Sequence, residues 1–253
     1  MSHTLCILLA CAPVASRTSC FTHPLITVSP QAERSNPALR SDDTPKLSDA
    51  EKEAGFQLLF NGKDLTGWRE VQGKPGTFSV KEGLLVGLRQ ENSAYWLSTA
   101  EEYGDFELRL QYKIPAHGNS GIFIRAPHTG RTSREGMEIQ IYDEGELAAP
   151  HKGSTGSIYQ VVAPKKFAHG PPGQWNDLGI LCDGDRIQVT INGELVNDAS
   201  MADHEPLKSR PRRGYIGLSS HTDAVEFRNI RLRKLNKTTL NLKSVDPIPR
   251  ETE

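Results

Sequence analysis

The sequence predicts an all-β protein in which two antiparallel sheets form a jelly-roll sandwich. Short runs alternate apolar and polar residues, turn dipeptides separate these runs, and no amphipathic helix of ten or more residues interrupts them. No repeat of fixed period is present, which disfavours a propeller. In chain order the runs read FQLLF, TFSV, LLVG, AYWLS, FELRLQYKI, GIFIR, MEIQIY, SIYQVV, DLGILC, RIQVTING, YIGLSS and VEFRNIRLRKL.

Turn dipeptides indicate how neighbouring runs are joined. Asp183-Gly184 and Asn192-Gly193 flank the run Asp185 to Ile191 and predict two hairpins, because Asp, Asn and Gly tolerate positive φ. Similar turn signals occur earlier in the chain, at Asn61-Gly62, Glu82-Gly83 and Gly118-Asn119.

The 253-residue chain divides into four segments by composition. Residues 1–21 hold the apolar run TLCILLACAPVAS, which we interpret as a secretory signal, with lipid attachment at Cys11 as the alternative. Residues 22–54 are rich in Pro, Ser, Asp and Glu and predict a linker with one helical turn at 49–54, residues 55–235 form the β domain, and residues 236–253 form a loose tail. We therefore expect an exported protein of the periplasm, envelope or exterior, without a membrane helix in the mature domain.

Composition excludes several classes of partner and cofactor. With 30 basic and 31 acidic residues, the chain is not expected to bind nucleic acid or an anionic membrane. Three of its four cysteines lie in the first twenty residues, and Cys182 is expected to be a buried apolar residue. No metal and no cofactor are expected, because the histidines lack metal-ligand spacing and no GxGxxG motif is present. The oligomeric state is left open.

The polar faces of two runs suggest a binding groove. Alternation places Glu138 and Gln140 opposite the apolar face of GMEIQIYDE, and Phe123 and Arg125 opposite that of GIFIR. Charged and amide groups bind sugar hydroxyls, and flat rings stack on sugar faces. The alternative is an ordinary solvated face, which antiparallel sheets usually have.

Several motifs in fixed order carry a family resemblance. GFQLLFNGKDLTGW, HGNSGIFIR, GMEIQIYDE, TGSIYQVVAP, PPGQWNDLGI, VTINGELV, GYIGLSSH and VEFRNIRLRKL follow one another between residues 55 and 235. This region resembles the 3-keto-disaccharide (3-keto-glucoside) hydrolase family. The resemblance implies a concanavalin A-like or laminin G-like jelly roll with its groove on the concave sheet, acting on sugars oxidised at C3. One departure is Ser219-Ser220 before His221, where such sequences usually have Gly-Leu-Gln before a polar residue and His.

A ketone at C3 sets the chemistry that such a site must perform. It acidifies the C2 hydrogen, so that a base can form an enolate and the group at C1 can leave, after which water adds back. Glu138 is the candidate general base or acid, and Arg125 the charge that holds the enolate oxygen. His221 is the candidate for protonating the leaving group. Glu138 and Arg125 could instead simply pair with each other.

Five further residues are candidates for binding the substrate. Gln140 and Asn119 are expected to bond sugar hydroxyls, Tyr159 and Trp175 to stack on a ring, and Asp143 to supply a second carboxylate. Each has a structural alternative: Asn119 as a turn residue, Asp143 as a strand cap, Trp175 and similarly Tyr159 as core residues, and Gln140 as a solvated side chain.

Three functions remain open from the sequence. The first is cleavage of 3-keto-glycosides or 3-keto-disaccharides, by hydrolysis or by elimination and hydration. The second is a non-catalytic carbohydrate-binding module or lectin on the same scaffold, and the third is an envelope interaction protein without a sugar role. A pair of carboxylates or an Arg–Glu pair in a closed pocket would favour the enzyme, and a shallow aromatic strip would favour the binding module. A carbohydrate is the expected partner in the first two.

Overall fold

The computed structural model describes residues 45–71, 75–88, 95–221 and 224–235. The predicted signal, most of the predicted linker and the tail from residue 236 lie outside these residues. The described strands, in chain order, are β1 (Gln57–Leu58), β2 (Trp68–Val71), β3 (Phe78–Lys81), β4 (Leu84–Gly87), β5 (Tyr95–Tyr103), β6 (Phe106–Lys113), β7 (Asn119–Ala126), β8 (Met137–Tyr142), β9 (Asn176–Asp183), β10 (Arg186–Ile191), β11 (Glu194–Ser200), β12 (Gly214–Ser220) and β13 (Val225–Lys234).

The strands form two antiparallel sheets, which confirms the predicted all-β sandwich of jelly-roll type. The eight-stranded sheet has the order β11-β10-β9-β6-β13-β4-β3, with β1 paired to β13. The five-stranded sheet has the order β2-β5-β12-β7-β8. The short helices are α1 (Asp49–Glu53), α2 (Thr132–Glu135) and α3 (Glu205–Lys208). No helix in the described residues has the length and apolar character needed to cross a membrane.

The core lies between the sheets and follows the alternation read from the sequence. In β6, Phe106, Leu108, Leu110 and Tyr112 are buried, and the residues between them are half-buried. Strand β10 likewise buries its apolar residues, which belong to the same core cluster as the isoleucines of β7 and β8. Truncating a buried Leu or Ile of such a core to Ala typically costs about 2–5 kcal/mol. This packing therefore fixes which face of each strand is available to a ligand.

The hairpin predictions are confirmed. Strand β10 pairs with β9 through the turn at Asp183-Gly184 and with β11 through the turn at Asn192-Gly193. Asn192 and Gly193 have φ of 50° and 81°, the left-handed values that a two-residue turn of this kind requires.

One strand was not predicted, and one predicted run is not a regular strand. Strand β2 is present although its sequence, WREV, does not alternate cleanly. Strand β11, which the hairpin at Asn192-Gly193 implies, does not alternate cleanly in its sequence ELVNDAS. The run SIYQVV makes only two isolated bridges, Ile158 with Ile139 and Ile158 with Val162. The chain reverses within it, because Gln160 has a φ of 60°. The segment therefore forms a turn along the edge of β8.

Candidate active site

The outer face of the five-stranded sheet carries one group of buried polar residues. Cross-strand pairing places Glu138 opposite Phe123 and Gln140 opposite Gly121. In the same sheet, Ser219 of β12 pairs with Trp96 of β5. Since paired residues share a face, these side chains point away from the core. We call the set Glu138, Gln140, Asn119, Trp96 and Ser219 the Glu138 face.

Glu138 is a buried carboxyl group without a partner. It is 6% exposed, and none of the described residues forms a hydrogen bond or an ion pair with it. Its side chain lies over Gly121, where a Cβ atom would come within 2.3 Å of Oε1. Burial raises the pKa of Glu138 to about 8. At neutral pH the group is therefore mostly protonated and can give its proton to a bound ligand.

Two amides lie beside this carboxyl group. Gln140 is 6% exposed, and its Nε2 donates a hydrogen bond to Oδ1 of Asn119 at 3.3 Å. The bond orients both side chains and leaves Oε1 of Gln140 and Nδ2 of Asn119 available for other partners. The predicted proximity of Asn119, Gln140 and Glu138 is thus observed, on adjacent strands.

Two buried donors lie on the same face. Neither Nε1 of Trp96 nor Oγ of Ser219 has a hydrogen-bond partner among the described residues. Each such group costs about 1–3 kcal/mol unless something binds it. Trp96 is held edge-on against Phe123, with ring centroids 5.4 Å apart. One sequence feature marks this position, because Ser219 is where the chain departs from the pattern of the family it resembles.

His221 follows directly after β12 and is half-buried. Counting two residues on from Ser219 places it on the same side of the chain. Burial lowers the pKa of His221 below its ordinary value of 6.5, so the imidazole is neutral at pH 7. None of the described residues bonds its ring. A neutral imidazole accepts a proton more readily than it donates one, which is the reverse of the role expected from the sequence.

A histidine that the sequence did not single out adjoins this face. Nε2 of His128 lies 2.7 Å from Oγ of Ser98, and Nδ1 accepts a hydrogen bond from Arg69. The ring stacks on Tyr215 with centroids 3.5 Å apart. Oγ of Ser98 donates to the carbonyl of Thr99 at 2.9 Å. Because Nδ1 accepts, Nε2 carries the hydrogen and cannot activate Ser98 as a nucleophile. We interpret the cluster of His128, Ser98, Arg69 and Tyr215 as a structural element that stabilises the Glu138 face.

The prediction that Arg125 lies on this face is wrong. Arg125 is fully buried, and its guanidinium donates to the carbonyl of Gly104 at 2.9 Å, to that of Gly184 at 2.8 Å and to Asp105 at 3.0 Å. The cause is a bulge: Tyr215 pairs with Ala126 but Gly217 pairs with Phe123, so β7 has one extra residue. Arg125 there has a φ of 48°, which turns its side chain inward.

The expected Glu138–Arg125 pair is therefore not formed. With its donors bound to protein groups, Arg125 cannot hold an enolate oxygen beside Glu138. Its contacts instead connect β7 to the turn at Gly184, which belongs to the other sheet.

Trp175 also lies away from the Glu138 face. Its ring is covered by the guanidinium of Arg228 at 4.1 Å and by the ammonium of Lys113 at 5.0 Å, both on the outer side of the eight-stranded sheet. Trp175 is thus neither a core residue nor a stacking platform beside Glu138, and its predicted role in binding the same sugar is wrong. Tyr159, in contrast, adjoins the site, because its backbone N–H donates to the carbonyl of Glu138 at 2.8 Å.

The acidic residues after β8 hold the following loop in place. Asp143 accepts from the backbone N–H of His117 at 2.7 Å, so it acts as the strand cap that was its alternative interpretation. Glu144, which was not predicted, accepts from the backbone of Thr155 and lies 2.6 Å from Nε2 of His169. The hydrogen bond to Glu144 raises the pKa of His169. These contacts fix the segment that runs along the edge of β8.

Fold and site together define a class: a jelly-roll sandwich whose smaller sheet carries a desolvated carboxyl group among unpartnered donors. Residues 55–233 match the 3-keto-alpha-glucoside-1,2-lyase-like domain, and the chain belongs to this family. This confirms the resemblance seen in the sequence.

Individual relatives agree with this assignment. The chain is similar to the 3-keto-disaccharide hydrolase of Bacteroides thetaiotaomicron, with 24% identity in an alignment that covers 72% of this chain and 79% of that protein. A candidate glycosyl hydrolase from Parabacteroides distasonis superposes with a TM-score of 0.67 at 25% identity, covering 76% of this chain and 100% of that one. A carbohydrate-binding module from Bacillus subtilis superposes with a TM-score of 0.51 at 16% identity over 69% of this chain and 99% of that one, a likeness of fold alone.

Proposed function

We propose that the chain cleaves the glycosidic bond of 3-keto-glycosides or 3-keto-disaccharides on the Glu138 face. The observation that carries this proposal is the buried carboxyl group of Glu138, which has no partner among the described residues and lies beside two unpartnered donors. A protein keeps such groups unpaired at a stability cost, so they are candidates for binding and catalysis. Family membership and the name of the Bacteroides relative supply the substrate class.

The reaction assigns a separate task to each group. His221, kept neutral by burial, takes the proton from C2 of the 3-keto sugar. The electron pair forms an enolate, whose oxygen at C3 accepts hydrogen bonds from Nε1 of Trp96 and Oγ of Ser219 in place of the excluded Arg125.

Cleavage follows from the enolate. The bond between C1 and the glycosidic oxygen breaks, and Glu138 protonates the departing oxygen. Water then adds across the C1–C2 double bond, with its hydroxyl at C1 and a proton at C2, which completes net hydrolysis. Gln140 and Asn119 bind the hydroxyls of the same ring.

The non-catalytic alternative is less well supported by the site. A shallow sugar-binding strip needs exposed rings, but the rings at the centre of this face, Trp96 and Phe123, are only 2% and 5% exposed. A desolvated acid serves proton transfer better than hydroxyl binding, because burial shifts its pKa toward neutral pH.

The test is incubation with a 3-keto-disaccharide while the released monosaccharide is followed by chromatography. The unoxidised disaccharide, which lacks the acidic C2 hydrogen, should not be cleaved. Glu138→Gln should lower kcat by about 100-fold or more, the usual size of a lost general acid. Glu194→Gln is the matched control, since Glu194 is an exposed partner of Lys166. Binding of both sugars without cleavage of either would contradict the proposal and favour a binding module.

A further inference from the structure

A second groove adjoins the Glu138 face at the edge of β8. It is lined by Arg134, Tyr159, Gln160, Pro206 and Arg210, and we call it the Arg134 groove. Tyr159 connects the two regions, because its N–H donates to the carbonyl of Glu138 at 2.8 Å. Gly136, whose carbonyl accepts from Arg210, precedes Glu138 by two residues, which is about 7 Å along a strand. One ligand can therefore reach both regions.

Arg210 is a fixed cation held by neutral groups. Its Nε donates to the carbonyl of Pro206 at 2.9 Å, and its Nη1 donates to the carbonyls of Ser133 at 2.9 Å and Gly136 at 2.6 Å. These acceptors orient the guanidinium but do not neutralise it. Within the described part of the chain, its Nη2 has no hydrogen-bond acceptor and remains available.

Arg134 adds a second charge without a counter-ion. Its side chain is exposed and forms neither a hydrogen bond nor an ion pair with the described residues. The neighbouring carboxylates are engaged elsewhere: Glu135 accepts from the backbone N–H of Arg131, and Glu205 pairs with Lys208 at 2.6 Å. Burial and the nearby charge of Arg134 lower the pKa of Arg210, as expected when cations share a site.

We propose that the Arg134 groove binds the anionic group, a carboxylate or a sulfate, of a sugar residue adjoining the one cleaved at Glu138. The assignment of the neighbouring sugar rests on the proposed function. Guanidinium groups match the planar geometry of such anions and bind them through paired hydrogen bonds. Tyr159 supplies a ring for the apolar side of this sugar, and Gln160 an amide for its hydroxyls.

Binding measured by calorimetry tests this proposal without requiring turnover. Three unoxidised disaccharides are compared at low salt: a neutral one, the same one with a uronic acid, and the same one with a sulfate. The wild-type chain should bind at least one acidic sugar about tenfold more tightly than the neutral one, the scale of one charge-assisted hydrogen bond. Comparing the two acidic sugars identifies the anion.

Arg134→Gln should remove most of this preference, and high salt should weaken it. Arg186→Gln is the charge-matched control, since Arg186 pairs with Asp198 at 2.8 Å on the other sheet, and it should keep the preference. Arg210→Lys tests the second cation and keeps the charge, and it should weaken the preference because an ammonium lacks the paired donors.

Equal binding of neutral and acidic sugars would overturn the proposal, as would an acidic preference that Arg134→Gln leaves intact. Failure of the proposed function is a different result: acidic sugars then bind through Arg134, but no 3-keto sugar is cleaved.

Discussion

The outer faces of the two sheets differ in whether their charged and polar groups have partners. On the eight-stranded sheet, Glu107 pairs with both Arg109 and Arg233 at 2.6 Å, and Arg186 pairs with Asp198 at 2.8 Å. On the five-stranded sheet, the Glu138 face holds a carboxyl group, an indole N–H and a hydroxyl group that have no partners within the described part of the chain. Paired surface charges stabilise a fold only modestly, and unpaired buried groups destabilise it. The second face is therefore the one that a ligand completes.

The same contrast recurs within the five-stranded sheet itself. Arg125 and Glu138 are both buried ionisable residues on the adjacent strands β7 and β8. Arg125 has a carboxylate and two carbonyls as partners, whereas Glu138 has none among the described residues. We infer that Arg125 stabilises the fold and that Glu138 is held ready for chemistry.

Replacing each residue and measuring the stability of the variant tests this inference. Arg125→Met should lower the free energy of unfolding by about 3–5 kcal/mol, because it removes the cation paired with Asp105 and the donor to the carbonyls of Gly104 and Gly184. Urea denaturation at pH 7 measures the loss.

Glu138→Gln should act in the opposite direction. Folding at pH 7 requires Glu138 to take up a proton, because its pKa is about 8 when folded and near 4.3 when unfolded. Glutamine removes this cost, so the variant should be at least as stable as the wild type. A fall in stability comparable to that of Arg125→Met would show that Glu138 has a structural role after all.

Arg125 and Glu138 also show which side-chain directions can be predicted from the sequence. Alternation is a local property, so it correctly predicts the outward direction of Glu138, Gln140 and Phe123. It fails at Arg125, because the bulge there depends on the register between β7 and β12. A single extra residue with a φ of 48° exchanges the two faces, and nothing in the run GIFIR signals it.

Partners brought together from distant parts of the chain are equally hidden. Ser98 and His128 are 30 residues apart in sequence and meet across the sheet. Trp175 directly precedes β9, and its ring lies under Arg228 of β13, although β6 is between these two strands in the sheet. Only the strand order brings these two residues together. Residue types thus suggested candidates for the site, and tertiary register decided which of these candidates lie together.

The pH dependence of kcat/KM should distinguish the roles of His221 and Glu138. The acid limb of kcat/KM should lie below pH 6.5, where His221 becomes protonated and stops acting as a base. The alkaline limb should lie near pH 8, where Glu138 loses the proton it donates. Each pH unit beyond a limb should lower the rate about tenfold.

Variants connect each limb to its residue. The residual activity of Glu138→Gln should lack the alkaline limb and keep the acid limb, and His221→Gln should show the converse. An alkaline limb that persists in Glu138→Gln would assign it to another group.

The smallest effect concerns the paired His169, for which linkage predicts the opposite dependence from a catalytic histidine. Contact with Glu144 raises the pKa of His169 above its unfolded value near 6.5. The pair therefore stabilises the fold fully below pH 6.5, and this contribution is lost as the pH rises through the folded pKa. We expect a contribution of about 1 kcal/mol or less, because the His169 side chain is 20% exposed.

Urea unfolding measures this contribution. The free energies of unfolding of the wild type and His169→Gln should differ most near pH 6 and converge near pH 9. A His169→Gln difference that stays constant over this range would mean that the pair contributes nothing through its charge.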